Sequence, residues 1–254
     1  MFFPYRDDNP QVLIPYVTYG ILALNVLVFL YQTLFLADPV ASHAFTLRYG
    51  LIPQYFWQNN APELLLQTEQ MMSRYEPRIA WDALGQINLL PAGLTLLTAP
   101  FLHGGWLHLL GNLLFLYVFA DNVEGALGHR KFALFYLFAA LAAGFAQLYM
   151  VPESMLPVVG ASGAISGVLG AYMLRYPKAR IHVFVFFVII FTTIRLPAFV
   201  VLGWWFAIQA FNGILSMSSE VSGGIAWFEH IGGFVAGLSF MAIAGRRRKL
   251  VLKV

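Results

Sequence analysis

The 254-residue sequence contains no cysteine and few charged residues. The absence of cysteine excludes disulfide bonds, a thiolate nucleophile and a cysteine-ligated metal site. Charged residues make up only 11% of the chain, whereas soluble domains carry about 25%. Hydrophobic residues account for 59%. This composition excludes an ordinary soluble domain and predicts a polytopic membrane protein.

Six apolar segments approach the length of about 20 residues that a helix needs to cross a bilayer. They cover residues 17–36, 106–120, 132–150, 162–176, 198–217 and 225–244. The first apolar run begins near Val12 and is too long for the core of a cleavable signal peptide. We therefore expect it to act as a signal anchor.

Two further stretches are not expected to span the membrane. Residues 37–105 form a long first external loop, in which residues 61–75 place Leu and Met at helical spacing and predict an amphipathic interfacial helix. Residues 181–194 are rich in Val, Ile and Phe, which favours strands. We expect an interfacial hairpin or a re-entrant segment over residues 181–197.

Positive charges follow every second apolar segment. Arg130 and Lys131 follow the second, three basic residues lie within 175–180 after the fourth, and residues 246–249 after the sixth are all Arg or Lys. The positive-inside rule places these three ends in the cytoplasm. This arrangement requires six crossings, with both termini cytoplasmic.

The predicted fold class is thus an all-α polytopic membrane protein, with one six-helix membrane domain over residues 1–254. Residues 1–16 are a cytoplasmic segment in this topology. Residues 245–254 form a basic cytoplasmic tail, which we expect to contact lipid head groups rather than nucleic acid.

This topology brings several polar side chains to one depth in the membrane. The second, fourth and sixth segments all run from outside to inside, so their N-terminal ends lie on one side. Those ends carry His103, His108 and Asn112, then Ser162, then His230. Polar and ionisable groups inside a membrane are costly, and they commonly mark functional sites.

Ser162 and His230 are the pair expected to carry chemistry. A serine nucleophile and its base need about 2.6–3.2 Å between heavy atoms, so their helices must nearly touch. Small residues such as Gly167, Gly233 and Gly237 lie near the same helix faces and permit that approach, although glycines also serve helix packing alone. Unpaired N–H groups at the start of a helix can stabilise an oxyanion.

His108 and Asn112 are four residues apart and therefore share one helical face. An imidazole and an amide there could donate to the same oxyanion. The alternative for each is a buried polar residue that bonds a neighbouring helix. His103 precedes the helix and is expected to shape the loop around it.

Three motifs in this order resemble the rhomboid family of intramembrane proteases. They are His103-x4-His108-x3-Asn112, Gly160-Ala161-Ser162-Gly163 and His230-Ile231-Gly232-Gly233. The resemblance covers residues 17–244 and is closest to the bacterial six-helix type.

The resemblance implies a serine endopeptidase that uses a Ser–His dyad. Ser162 would be the nucleophile and His230 the general base, while His108, Asn112 and the Ser162 N–H would form the oxyanion hole. His103, Gly160, Gly163 and Gly233 would support them. It further implies no cofactor and no metal.

The resemblance also implies where the protein acts and on what. Its substrates would be single-span membrane proteins, cut in or near their transmembrane helices, and its location the bacterial inner membrane. Residues 198–217 and the loop at 218–224 would form a lateral gate and a cap.

Three departures from the family pattern stand out. Glu229 precedes the histidine where relatives usually carry a small residue, and it could face a loop or form a local hydrogen bond. Ser166 stands one turn after Ser162, where many relatives place an aromatic that packs on the imidazole. Residues 96–98 are Leu-Leu-Thr, and the Trp-Arg pair often seen there is missing.

Two other functions are open on the sequence. A catalytically inactive rhomboid-like protein would bind membrane clients, but its usual mark is loss of the serine or the histidine, and both are present. A metal-dependent protease or transporter would use His103, His108 and His230. No His-Glu-x-x-His motif supports that alternative.

Overall fold

A computed structural model describes residues 2–34, 36, 38–76, 84, 87–187, 190–218 and 226–244. Its helices within these ranges are α1 (Tyr16–Leu34), α2 (Pro39–Tyr49), α3 (Pro53–Gln58), α4 (Ala61–Tyr75), α5 (Ala92–Thr98), α6 (Trp106–Leu127), α7 (His129–Met150), α8 (Ser162–Arg175), α9 (Ala198–Ser218) and α10 (Trp227–Ala244). A short 3-10 turn, Ala99–Phe101, follows α5. The strands are β1 (Phe2–Asp7), β2 (Arg180–Phe187) and β3 (Ile190–Pro197).

Among the described residues, five helices are long and apolar enough to cross a membrane: α1, α6, α7, α9 and α10. Helix α8 has 14 residues, a length of about 21 Å at ~1.5 Å per residue. It packs against α6, α7, α9 and α10, and all its residues from 163 to 172 are buried. The prediction of an all-α polytopic membrane bundle is confirmed, with the short α8 at its centre.

Helices α8 and α10 approach each other through glycines. A Cβ atom added at Gly233 would lie 2.0 Å from the carbonyl oxygen of Gly163, and one added at Gly237 would lie 1.9 Å from that of Gly167. A side chain at either position would overlap the facing carbonyl oxygen, so the backbones of α8 and α10 are in direct contact. This contact begins one residue after Ser162 and three after His230, and it holds the two residues near each other.

The second apolar segment was predicted to end at residue 120, and this boundary is wrong. Helix α6 continues to Leu127. The polar residues that suggested an exit from the membrane bind other elements instead. Glu124 is fully buried, and its carboxylate accepts hydrogen bonds from the Val17 N–H at 3.0 Å and the Thr18 N–H at 2.8 Å. It thereby satisfies two free donors at the start of α1.

The long loop after α1 folds into a small core of its own. Leu64 and Leu65 of α4 are buried against α2 and α3, where Leu47, Ile52 and Tyr55 surround them. A helix forms over residues 61–75 as the sequence predicts, but its buried face meets protein. Its placement at the membrane interface stays a prediction.

An antiparallel sheet lies at the opposite end of α8 from Ser162. Strands β2 and β3 form a hairpin over the stretch expected to be extended, and β1 pairs with β2. The Tyr172 hydroxyl of α8 donates to the Asp7 carboxylate, and Asn122 donates to the same oxygen at 3.1 Å. These hydrogen bonds hold the N-terminal segment against α6 and α8. Its position relative to the membrane stays a prediction, and residues 245–254 lie outside the described residues.

Candidate active site

Ser162 and His230 meet at the N-terminal ends of α8 and α10. Ser162 is the first residue of α8 and His230 the fourth of α10. The Ser162 Oγ lies 2.8 Å from Nε2 of His230, which is hydrogen-bond distance for a nucleophile and its base. The two residues singled out from the sequence therefore form a direct pair.

The other imidazole nitrogen is held by a residue that the sequence analysis missed. His230 Nδ1 lies 2.8 Å from Oε1 of Gln209, on α9. Because an amide oxygen can only accept, Nδ1 carries the proton and Nε2 is left to accept from the Ser162 hydroxyl. A buried polar residue in the apolar α9 was the available signal, since such groups in membrane helices commonly mark sites.

Aromatic rings from two helices flank the imidazole. Trp205 of α9 lies 6.0 Å from His230 between ring centroids, and Trp227 of α10 lies 6.5 Å away, edge to face. Ser166 instead donates its hydroxyl to the Ser162 carbonyl at 2.6 Å. Ring contact with the histidine therefore comes from α9 and α10, whereas the α8 position expected to carry an aromatic bonds the serine's backbone.

His108 and Asn112 point at the turn before Ser162. Gly160 has a φ of +125°, a conformation that side chains rarely adopt. A Cβ atom there would lie 2.7 Å from His108 Nε2 and 3.5 Å from Asn112 Nδ2. Glycine at 160 therefore lets both side chains approach the backbone that leads into the serine.

Donor groups are available on both side chains. The Gly104 N–H donates to His108 Nδ1 at 3.4 Å, so the proton of the neutral ring lies on Nε2, which faces Gly160. Asn112 Nδ2 is buried and has no hydrogen-bond partner within the described ranges. These two side-chain donors lie beside Gly160, two residues before Ser162, whose own N–H has no acceptor one turn earlier in its helix.

His103 stabilises the loop that precedes α6. Its backbone N–H donates to Oε1 of Gln32 at 3.1 Å, and its carbonyl accepts from Nε2 of the same side chain at 3.4 Å. The ring lies edge-on to His108, with 5.2 Å between centroids. Burial, together with the neighbouring His108, lowers the pKa of His103 to about 4, so this ring is neutral at pH 7.

Glu229 does not face a loop. It is only 6% exposed, and its N–H donates to Oε1 of Gln147 on α7 at 3.1 Å. A Cβ atom at Gly163 would lie 2.7 Å from its Oε1. The carboxyl group therefore packs against the helix start beside Ser162.

The residues at 96–98 anchor the first loop without the Trp-Arg pair. The Thr98 hydroxyl donates to the Tyr49 carbonyl at 2.6 Å, and Leu96 is buried beside Leu51 and Leu148. On the same side of the loop, Trp57 donates its indole N–H to the Leu148 carbonyl at 3.0 Å. A hydrogen bond and apolar packing thus connect the loop to α7.

A cavity of about 590 Å³ contains this site. Helices α6, α8, α9 and α10 each contribute lining residues: His108, Asn112, Ser162, Trp205, Gln209 and His230. The described part of the chain holds no group of three or more His, Cys, Asp or Glu side chains suited to a metal ion. Since both nitrogens of His230 are engaged, the metal set of His103, His108 and His230 lacks a free ligand atom on one member.

Comparisons with known proteins agree with this architecture. The Rhomboid domain matches residues 92–247, more than half of the chain. Rhomboid-like protein 11, chloroplastic, of Arabidopsis thaliana is 38% identical over 84 residues, which are 33% of this chain and 30% of that protein.

Two further relatives are similar over comparable lengths. Rhomboid protein 1, mitochondrial, of Saccharomyces cerevisiae is 31% identical over 105 residues, 40% of this chain and 30% of its own. YdcA, a candidate rhomboid protease of Bacillus subtilis, is 36% identical over 78 residues, 31% of this chain and 39% of its own. The matched stretches thus span well under half of each relative. The domain match, together with the multi-pass helical bundle, establishes that the chain belongs to the rhomboid family.

Proposed function

We propose that this protein is an intramembrane serine endopeptidase that cleaves membrane-anchored proteins in or near their transmembrane helices. The observation that carries the proposal is the 2.8 Å contact between Ser162 Oγ and His230 Nε2 at the start of a buried helix. A serine hydroxyl becomes a competent nucleophile when an adjacent base removes its proton.

The reaction follows from the positions of the protons. His230 Nε2 takes the proton of Ser162 as Oγ attacks the scissile carbonyl carbon, and a tetrahedral oxyanion forms. The imidazolium then gives that proton to the leaving amine, which departs and leaves an acyl group on Ser162. Water, activated by the same nitrogen, releases the acyl group and restores the hydroxyl.

The donors before and at Ser162 form the proposed oxyanion hole. They are Nε2–H of His108, Nδ2 of Asn112 and the Ser162 N–H. Donors that lack a partner until charge develops on the substrate oxygen stabilise the transition state more than the bound substrate. The buried, unpartnered Nδ2 of Asn112 supports this role.

The substrates in this proposal are single-span membrane proteins. A peptide bond within a helix is shielded, so the segment must unwind before its carbonyl can reach Ser162. Helix α9 stands between the cavity and the outside of the bundle, with Trp204, Phe211 and Ile214 exposed on its outer side. We assign it as the gate. The cap at 218–224 falls almost entirely outside the described residues.

The multi-pass bundle is integral to a membrane, and we propose the bacterial inner membrane. The minimal six-helix form expected from the sequence supports that location. The named relatives belong to a chloroplast, a mitochondrion and a bacterium, and localisation of the tagged protein in its own cells tests the assignment.

The test is cleavage of a single-span reporter in proteoliposomes. We expect the wild type to cleave, Ser162→Ala to be inactive, and Ser239→Ala to match the wild type, because Ser239 is exposed on α10 and its hydroxyl donates to the Val235 carbonyl of its own helix. A fluorophosphonate should label the wild type but not Ser162→Ala. Cleavage by Ser162→Ala would overturn the proposal. Reporter binding without cleavage or labelling would favour an inactive client-binding protein.

A further inference from the structure

Helix α9 makes two contacts with His230 from one face. Trp205 and Gln209 are four residues apart, so their side chains project from the same side of the helix. Gln209 accepts from Nδ1 at 2.8 Å, and Trp205 lies 6.0 Å from the ring. Gln209 is only 7% exposed, so its amide is committed to this site.

We propose that Gln209 is the positioning residue of the dyad, with Trp205 supporting the same ring. This inference rests on the proposed function, because it assigns a role toward the base of that reaction. Two quantities need fixing in a neutral imidazole: which nitrogen carries the proton, and the rotation of the ring. The Gln209 amide oxygen fixes the first directly and restricts the second through a single hydrogen bond.

The need for such a residue arises from Ser166. That side chain is buried and bonds the backbone of Ser162, so α8 offers no ring to the imidazole one turn after the serine. The hydrogen bond that orients the imidazole therefore comes from α9. A neutral amide gives orientation without placing a further charge in a poorly hydrated site, where an unpaired charge is costly.

The arrangement makes the base depend on the position of the gate. If α9 moves away to admit a substrate, Gln209 and Trp205 leave His230 together. Nδ1 then loses its acceptor, and the proton can reside on either nitrogen. Only after α9 returns does the ring regain the tautomer that accepts from Ser162.

Variants at one position test the inference. Gln209→Leu keeps the approximate size and removes the acceptor, whereas Gln209→Glu keeps an acceptor and adds a charge. Asn212→Leu is the matched control, a polar-to-apolar change on α9 at a residue that does not line the cavity. With a single-span reporter in proteoliposomes, we expect Gln209→Leu to lower kcat about tenfold with little change in KM, and Asn212→Leu to behave as wild type.

The pH profile separates positioning from mere structural support. In Gln209→Glu we expect activity to be restored and the acid limb of kcat/KM to move to higher pH, because a carboxylate beside Nδ1 favours the protonated ring. His108 of α6 and Glu229 of α10 also face the cavity with His230, and α9 carries no ionisable side chain over residues 198–218. Because His108 and Glu229 are unchanged in every variant, a shift of the acid limb can be attributed to residue 209.

A nitrogen NMR measurement keeps this inference distinct from the proposed function. In protein labelled with ¹⁵N-histidine, the His230 signal, assigned by its loss in His230→Gln, should show a protonated Nδ1 and a bare Nε2. Gln209→Leu should show a mixture of tautomers. A locked tautomer in Gln209→Leu, or an unmoved pH limb in an active Gln209→Glu, would overturn the inference. If Ser162 proves unreactive while the tautomer responds to Gln209, only the proposed function fails.

Discussion

At the scale of single residues, the site is marked by a polar atom without a partner. Asn112 Nδ2 is buried among protein atoms and donates to none of the described residues. A buried donor left unpaired costs about 1–3 kcal/mol. In the proposed reaction that cost is recovered when the oxyanion accepts from Nδ2, so Asn112 gives a direct test of the proposed oxyanion hole.

We expect Asn112→Ala to lower kcat about 100-fold or more, the usual effect of removing one oxyanion donor. The melting temperature should not fall, since no hydrogen bond of Nδ2 is lost and an unpaired buried donor is removed. Asn25→Ala is the matched control, because Asn25 is also buried but its Nδ2 bonds the Ile21 carbonyl at 2.9 Å. It should lose stability and retain kcat. Reporter cleavage and thermal unfolding measure both, and an unchanged kcat in Asn112→Ala would refute the role.

At the scale of elements, the glycine contact between α8 and α10 sets the distance between Ser162 and His230. Gly237→Ala would place a methyl group 1.9 Å from the Gly167 carbonyl oxygen, so the helices must separate. We expect a loss of about 1–3 kcal/mol in unfolding free energy, as for other overpacked sites, and a lower kcat. Gly20→Ala on α1, where none of the described residues lies within 4 Å of an added Cβ atom, should change neither in unfolding and cleavage assays.

The loop before α6 should respond to pH through His103. Its pKa lies near 4 in the folded protein, against 6.5 ordinarily, so the unfolded chain binds a proton that the folded chain rejects. Stability from this residue is complete above pH 6.5 and falls as the pH drops toward 4. Melting temperatures in detergent should therefore decline less steeply over this range in His103→Gln than in wild type. Identical slopes would contradict the prediction.

At the scale of the whole molecule, Glu124 connects three helices. It accepts from the N-terminal residues of α1, and His129 at the start of α7 lies 2.5 Å away. A buried N–H donor left without its acceptor costs about 1–3 kcal/mol, and Glu124 accepts from two such donors of α1. We expect Glu124→Ala to lose stability on that scale, while the folded fraction keeps its kcat, because Glu124 lies near the C-terminal end of α6, whereas Ser162 and His230 lie near the N-terminal ends of α8 and α10. Denaturant titration and activity per folded molecule check this, and an undiminished stability would contradict it.

Much of this fold could be predicted from local patterns, since apolar runs and basic flanks locate membrane helices directly. The fold class followed from them, and the three motifs predicted the pairing of Ser162 with His230. The end of α6 was misplaced, because the polarity of Glu124 suggests water until α1 supplies its partners. Gln209 and the pairing of β1 with β2 depend on contacts between residues distant in sequence, which no local pattern contains.

The shortness of α8 bears on how the two reactants of the proposed hydrolysis would arrive. Its length of about 21 Å falls ~9 Å short of a typical hydrocarbon core of ~30 Å. Because α8 does not span that thickness and Ser162 is its first residue, the serine would lie below the membrane surface, in the cavity of about 590 Å³. In the proposed function, water would reach Ser162 through this cavity, whereas a substrate helix would enter from the lipid past α9. A soluble protein would have no such lateral route to the serine.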